Sequence, residues 1–328
     1  VFPVKFTPIP VPRIWGGHQL KSMFHTQLSE PIGEYWVLSA YPTRQSVVAE
    51  GPLAGQSLND LVRVYPEDFL GESPQPRFPL LIKYLEADQN LSVQVHPNDV
   101  YAQTYESDFG KTEAWYILSA QGERRICLGH DFNSRADFES AIATGEIKSH
   151  LQYREITAGE MVYIPAGTVH ALLAGTSVIE IQQTSDLTYR IYDWDRVSNG
   201  GEKRALHIKE AAEVINFPTE ETKKNENKIG VIEEPKKIVS PYFIIEEIVL
   251  ETDFPNGQSR ILTFHLGRER SPDMIICVKG NVQIRVDNEK SPDFSLHLSP
   301  GEVGLIPATV HSYEMIWHKE CILLRVHY

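Results

Sequence analysis

Five residues have the types and the spacing to hold a metal ion and use it. Gln94 and His96 stand two apart in LSVQVH (91–96), a run that predicts a strand, so both side chains leave the same face. Lys111 and Glu113 repeat that spacing ahead of the next strand-like run, and residues 97–110 supply proline, asparagine and glycine for a turn. His170 ends GEMVYIPAGTVH (159–170), where a Pro-Ala-Gly corner can present it inward. One amide oxygen, two imidazoles and a carboxylate form an N/O donor set suited to Zn²⁺, with a position left for water or a substrate oxygen; Fe²⁺ or Mn²⁺ could occupy it too. Taken singly, each has an ordinary reading, as a core hydrogen-bonder, a structural imidazole or an edge ion pair. Together they point to a metal. His130, His150, His207, His265 and His311 lack such company and are expected to be structural or solvent-facing.

The elements that must position these groups are mainly strands. Runs at 91–96, 115–118, 160–164, 178–182, 243–250, 275–279, 282–286 and 322–327 are separated by Gly, Pro, Asn and Asp, the pattern of a sandwich or barrel. Helical spacing is confined to insertions around 57–70, 134–149 and 206–216. The charged segment 218–238 reads as a connection, dividing the chain into 1–217 and 239–328. A repeat supports two related halves. GEMVYIPAGTVH (159–170) is echoed by GEVGLIPATVH (301–311), but Gly167 has no counterpart. Because strand side chains alternate, that deletion should aim His311 differently from His170, and the second half is expected to keep the fold without the metal.

A length of 328 residues suits two domains, since single cores seldom grow much beyond roughly 250 residues. Thirty-one basic residues against 44 acidic give a net charge of −13, which argues against nucleic acid as a partner. A small anion remains compatible, because a few cations in one pocket outweigh a diffuse charge screened over about 10 Å. Three scattered cysteines, Cys127, Cys277 and Cys321, resemble no disulfide framework and fit a reducing, cytoplasmic setting. No apolar run reaches the roughly 20 residues of a membrane helix, so no membrane association is expected. The chain opens on Val1 rather than Met, as after the loss of a few residues.

The order Gln94-x-His96, Glu113, His170 resembles the metal-binding domain of a cupin, and more specifically the short bacterial class of type I mannose-6-phosphate isomerases. The resemblance rests on WGG (15–17), FPLLIKYLEADQNLSVQVHPND (78–99), GKTEAWYIL (110–118), YIPAGTVHAL (163–172) and DLTYRIYDWDR (186–196). It implies two jelly-roll barrels with helical insertions, the second degenerate, one Zn²⁺ on His96, Glu113, His170 and Gln94, and Arg190 as the catalytic arginine. Lys111 matches the lysine of the family's Lys-x-Glu motif. One departure stands at 36–39, where Trp-Val-Leu-Ser replaces an expected Trp-Glu-Ile-Ser and Val37 takes the place of a carboxylate.

The reaction implied interconverts mannose 6-phosphate and fructose 6-phosphate through an enediol. The metal would polarise the C1 and C2 oxygens, and Arg190 would stabilise the developing charge unless it is paired locally with Asp193 or Asp195. Lys111 is a candidate for phosphate binding or, with a burial-lowered pKa, for proton transfer. Lys83, Arg13 and Lys111 are candidate phosphate donors, and Trp15, Trp36 and Tyr116 could wall the pocket. Two alternatives share the ligands: an Fe-dependent cupin dioxygenase and a non-catalytic sugar-phosphate-binding protein.

Overall fold

The computed structural model describes residues 2–197, 201–218, 236–251, 260–265, 271–286 and 295–328. They form a mainly β protein of two sheet pairs. In the first pair, a six-stranded antiparallel sheet runs in the order Ile9–Gly17, Ile32–Leu38, Leu80–Ala87, Thr176–Gln183, Glu113–Ala120, Met161–Ile164. Its partner has five strands: Tyr189–Tyr192, Val93–Val95, His170–Ala171, Arg125–His130 and Leu151–Glu155. The second pair joins a six-stranded sheet (Val4–Lys5, Val303–Ile306, Asp273–Lys279, Cys321–His327, Ile244–Leu250, Lys237–Val239) to a four-stranded one (Arg260–His265, Ser312–Trp317, Val282–Val286, Ser295–Leu298).

Each six-stranded sheet is covered on both faces, which explains why strands such as LLIKYLEA are buried throughout. Leu80, Ile82 and Tyr84 join Ile179, Ile181, Met274, Ile276, Leu324 and Val326 in a core between the two large sheets. Leu85 and Ala87 turn the other way, to Trp115, Ile126 and Leu172 between the sheets of the first pair. At roughly 1.5–3 kcal/mol for each buried aliphatic side chain, the shared core is the dominant contact between the halves. Val4–Lys5 also crosses over, pairing with Val303–Ile306 of the second half. Of the expected connection, 219–235 lies outside the described residues, while Lys237–Val239 pairs with the strand Ile244–Leu250.

Helices occur within each expected insertion: Leu58–Val64, Pro66–Phe69, Arg135–Thr144 and Ile208–Val214. Ser57 and Ser134 cap the first and third by accepting from Asp60 and Asp137 N–H. The turn expected across 97–110 instead contains a helix, Asp99–Tyr105. Asn98, read as a turn residue, is its N-cap and accepts from Tyr101 N–H at 2.9 Å. Among the described residues no helix is long and apolar enough to cross a membrane.

The WGG triplet has a steric reason. A Cβ on Gly16 would stand 2.4 Å from the Gly33 backbone, and one on Gly17 would stand 1.9 Å from Glu86 Oε1. Glu86 needs that room, because its carboxylate accepts from the N–H groups of Gln19 and Leu20. This close approach sets the strand carrying Arg13 and Trp15 beside Ile32–Leu38.

Candidate metal centre and adjoining cavity

The register of three strands assembles half of the site. Gln94 is directly opposite His170 on one side and Arg190 on the other. The large sheet supplies the rest as a row of cross-strand neighbours, Trp36, Lys83, Glu180 and Trp115. Glu113 begins the strand that carries Trp115.

His96, Glu113 and His170 converge, with one ligand atom from each lying within 4.8 Å of the others. Glu113 Oε2 is 3.5 Å from His96 Nε2, and Oε1 is 3.2 Å from His170 Nε2. Both imidazoles give their outer nitrogen to a backbone carbonyl, His96 Nδ1 to Leu187 at 2.8 Å and His170 Nδ1 to Thr168 at 2.9 Å. That fixes Nδ1 as the protonated nitrogen and leaves both Nε2 lone pairs facing inward, as metal-ligating histidines are held. His96 Nε2 and both Glu113 oxygens are buried without a hydrogen-bond partner, a costly arrangement that a cation would relieve. Burial and then the Lys111 charge hold the His96 imidazole in its neutral form. Burial works against the Glu113 carboxylate, but the Lys111 charge leads the causes that outweigh it and keep it ionised. The three side chains therefore fit a divalent metal with an open position. Gln94 presents its amide nitrogen 3.4 Å from His170 Nε2; to act as a ligand it would turn its oxygen inward.

The corner before His170 is fixed by its neighbours. Gly167 has φ +84°, donates to His96 O at 2.8 Å, and would bring a Cβ to 2.4 Å from the Asn216 side chain. In the second repeat Ala308 N–H is bonded to Asp68 O, and His311 is exposed just ahead of Ser312–Trp317.

Strand register shows what replaced the first-half groups. Glu113 pairs with Ile164, and Asp273 pairs with Ile306, the same isoleucine of the two repeats. Two strands over, Lys83 opposite Glu180 corresponds to Glu246 opposite Arg325. The signs are exchanged. Arg325 donates to Asp273 from Nε at 2.7 Å and from its Nη2 at 3.1 Å, and Tyr313 OH donates to the same carboxylate at 2.8 Å. An internal guanidinium thus neutralises the buried carboxylate. Arg325→Met should strand Asp273, which is 1% exposed, and cost about 3 kcal/mol or more, whereas adding Asp273→Leu should recover most of the loss; thermal melts of the two variants check this.

Lys111 Nζ lies 3.2 Å from Glu113. The lowered pKa expected of it is not found. Burial pulls in that direction, but Glu113, Glu180 and Asp186 prevail and raise it, so Lys111 is a fixed cation. It lines a cavity of about 340 Å³ together with Arg13, Trp15, Glu34, Lys83, Gln94, Glu180, Arg190 and Arg204. The metal trio lies behind this lining, reached through Gln94 and Lys111. Arg190 is not paired with Asp193 or Asp195. Asp193 binds Arg196 and Arg204, and Asp195 binds Lys203 and Tyr192. Arg190 instead donates to Ala205 O at 2.8 Å, and its Nε is buried without a partner. Of the expected aromatic walls only Trp15 lines the cavity. Trp36 lies under Lys83, 4.6 Å from its ring centroid to Nζ, and Tyr116 faces the opposite core, bonded to Glu247.

The departure at Val37 is resolved by alternation. Val37 points into the core between the large sheets, so a carboxylate there would be away from the site. The cavity carboxylates are Glu34 and Glu180, both buried, and the exposed Asp186. Glu34 accepts from Arg13 Nε and Trp36 Nε1, both at 2.6 Å. Burial opposes its ionisation, but Lys83 and Arg13 bring its pKa down to about 2. Because the folded value lies below the unfolded one, its stabilisation, about 3 kcal/mol, is full above the ordinary carboxylate range and lost as pH falls through about 2. The stability difference between wild type and Glu34→Gln should therefore be constant above about pH 5 and shrink on acidification; growth of the difference in acid would contradict this. Glu180 accepts from Trp115 Nε1 at 3.1 Å and lies 3.5 Å from Lys83 Nζ. Burial and then the Glu113 charge raise its pKa. Glu34, Glu180 and Arg204 were not picked out from the sequence.

A buried His-Glu-His trio behind a cavity lined by five basic and three acidic side chains forms a candidate metal centre beside a polar pocket. Comparisons with known proteins give this class a family. Residues 8–134 match phosphomannose isomerase type I, catalytic domain. The chain is 40% identical over 270 residues to the probable mannose-6-phosphate isomerase GmuF of Bacillus subtilis, covering 79% of this chain and 84% of that one. It is 42% identical over 218 residues to the mannose-6-phosphate isomerase ManA of the same organism, covering 66% and 69%. The crystal structure of a mannose 6-phosphate isomerase from Bacillus subtilis superposes with a TM-score of 0.84 at 30% identity, covering all of both chains. The chain belongs to the mannose-6-phosphate isomerase family.

Proposed function

We propose that this protein is a zinc-dependent aldose–ketose isomerase that interconverts mannose 6-phosphate and fructose 6-phosphate. The observation that carries the reading is the buried His96–Glu113–His170 trio, with three ligand atoms lacking hydrogen bonds, set against a cavity rich in basic side chains. The trio would hold one Zn²⁺, with Gln94 as a fourth protein ligand; two imidazoles with a carboxylate suit zinc as they suit Fe²⁺, and an isomerisation needs no redox-active metal. When bound, the ion would supply Lewis acidity toward the sugar's C1 and C2 oxygens. The architecture proposed is a pair of cupin-type jelly rolls, 1–217 and 239–328 joined by 218–238, with Val4–Lys5 lending a strand to the second sheet pair.

Glu180 is the proton carrier in this reading. Its carboxylate takes the proton from C2 of the open-chain aldose and delivers a proton to C1, while the proton leaving the C2 hydroxyl is taken up by the C1 oxygen, so that the C1 aldehyde becomes a hydroxyl and the C2 ketone forms. Burial and then the Glu113 charge raise its pKa, which makes it a stronger base than an ordinary carboxylate. Arg190, a guanidinium that stays cationic although burial and then Arg204 lower its pKa, and Lys111, which its carboxylate neighbours keep protonated, donate N–H to the oxygens that become negative. Arg13 and Lys83 are largely committed to Glu34 and Glu180, so their part is to hold those carboxylates and contact sugar hydroxyls beside Trp15. Running the reaction in D₂O tests the proton route. Because a carboxylate exchanges its proton with solvent, deuterium is expected at C1 in part of the fructose 6-phosphate formed; full retention of the original C2 hydrogen together with an unchanged kcat in Glu180→Gln would sink the Glu180 role.

A further inference from the structure

The cavity's cations are not equally available. Arg13 and Lys83 are paired with Glu34 and Glu180, and Lys111 with Glu113. Arg190 has no carboxylate within ion-pair distance among the described residues, and Arg204 shares the single carboxylate of Asp193 with Arg196. Around Asp193 three guanidiniums are offset by one carboxylate, an excess of about +2 that falls to about +1 when Asp186 of the cavity lining is counted, a positive field suited to a phosphomonoester at neutral pH.

The segment that carries Arg204 is fastened to the strand that carries Arg190. Arg190 N–H donates to His207 Nδ1 at 3.1 Å, its carbonyl accepts from His207 N–H at 2.8 Å, and its guanidinium is bonded to Ala205 O. Asp193 fixes Arg204 by a two-point fork, from Nε at 2.7 Å and from the second nitrogen. Asp193 in turn opens a tight turn in which Trp194 and Asp195 both have φ +58°, a left-handed conformation that non-glycine residues adopt only when their surroundings demand it. The demand is met by Trp194 Nε1 on Leu91 O and an Arg196 guanidinium nitrogen on Asn90 O, each at 2.6 Å. Residues 90 and 91 lead directly into the Gln94 strand, so the strained turn locks the arginine end of the cavity to the metal end.

We propose that Arg204, oriented by Asp193, joins Arg190 as the binding site for the substrate's phosphate, with Asp193 as a positioning residue. The assignment rests on the sugar-phosphate reading above and places the phosphate on the far side of Gln94 from His170. A bidentate guanidinium suits a phosphate's oxygens better than an ammonium does.

The test uses the zinc-loaded protein and Arg204→Ala, Arg204→Lys and Asp193→Asn, measuring both mannose 6-phosphate kinetics and calorimetric binding of inorganic phosphate. For Arg204→Ala, KM should rise about 10- to 100-fold with kcat within about threefold, zinc content unchanged, and phosphate affinity reduced in parallel. Arg204→Lys should recover part of the affinity, and Asp193→Asn should move KM and phosphate affinity in the same direction as Arg204→Ala. Unchanged KM and phosphate affinity in Arg204→Ala would overturn the assignment, as would a loss confined to kcat. If the wild type binds phosphate, Arg204→Ala loses it and neither turns over mannose 6-phosphate, the anion site stands and the substrate reading falls.

Discussion

His170→Ala should lose zinc and with it at least about a thousandfold in isomerisation rate, since a Lewis acid at the reacting oxygens is worth several kcal/mol and each 1.4 kcal/mol is a factor of ten. The cause is local. His170 is fully buried, its Nε2 is 3.2 Å from Glu113, and its removal leaves one imidazole and one carboxylate to hold the ion. The fold should persist, because the strand pairing of residue 170 with Gln94 and Leu128 is made by the backbone. Zinc should raise the melting temperature of the wild type, as any ligand of the native state does, by about 4 kcal/mol of stabilisation at a thousandfold excess over the dissociation constant. It should leave His170→Ala nearly unmoved. A variant that still binds one zinc tightly would remove His170 from the ligand set.

Glu180→Gln should lower kcat by about 10²- to 10⁴-fold, the range for a positioned acid–base group, with zinc content unchanged. The substitution is close to isosteric, keeps an oxygen for Trp115 Nε1, and leaves Lys83 beside Glu34. As a base, Glu180 must be ionised. Burial and the Glu113 charge raise its pKa, so wild-type activity should fall as pH drops through that value, and the residual activity of the variant should lack this limb. Lys111 is the rival carrier, yet its surroundings raise its pKa. If Glu180→Gln kept its kcat while Lys111→Met lost activity together with an alkaline limb, the assignments would have to be exchanged.

Much of the candidate metal centre was legible in the sequence because strand periodicity makes two-residue spacing equivalent to a shared face. Gln94 with His96, and Lys111 with Glu113, could be read that way, and the missing glycine in the second repeat anticipated the exposed position of His311. At Val37 the expected carboxylate came from the resemblance, and the same periodicity places the residue opposite to Trp36, in the core shared by the large sheets. The carboxylates that do reach the cavity carried a usable signal. Glu34 in IGEYWVL and Glu180 in TSVIEIQQ are lone charges, and Lys83 shares LLIKYLEA only with Glu86, in strands that are otherwise largely apolar and buried on both faces. A charge in such a strand has to meet a partner or line a cavity. Other features had no local signal. The packing of the two large sheets against each other, the exchange of Glu180 and Lys83 for Arg325 and Glu246, and the delivery of Arg204 beside Arg190 all arise from tertiary register.

The measurement that bears most directly on the central claim is a zinc titration of the metal-stripped protein, followed by conversion of mannose 6-phosphate to fructose 6-phosphate. A site built from His96, Glu113 and His170 predicts negligible turnover in the stripped protein and a linear recovery that ends at one zinc per chain. Full turnover without metal, or none at one equivalent of bound zinc, would contradict it.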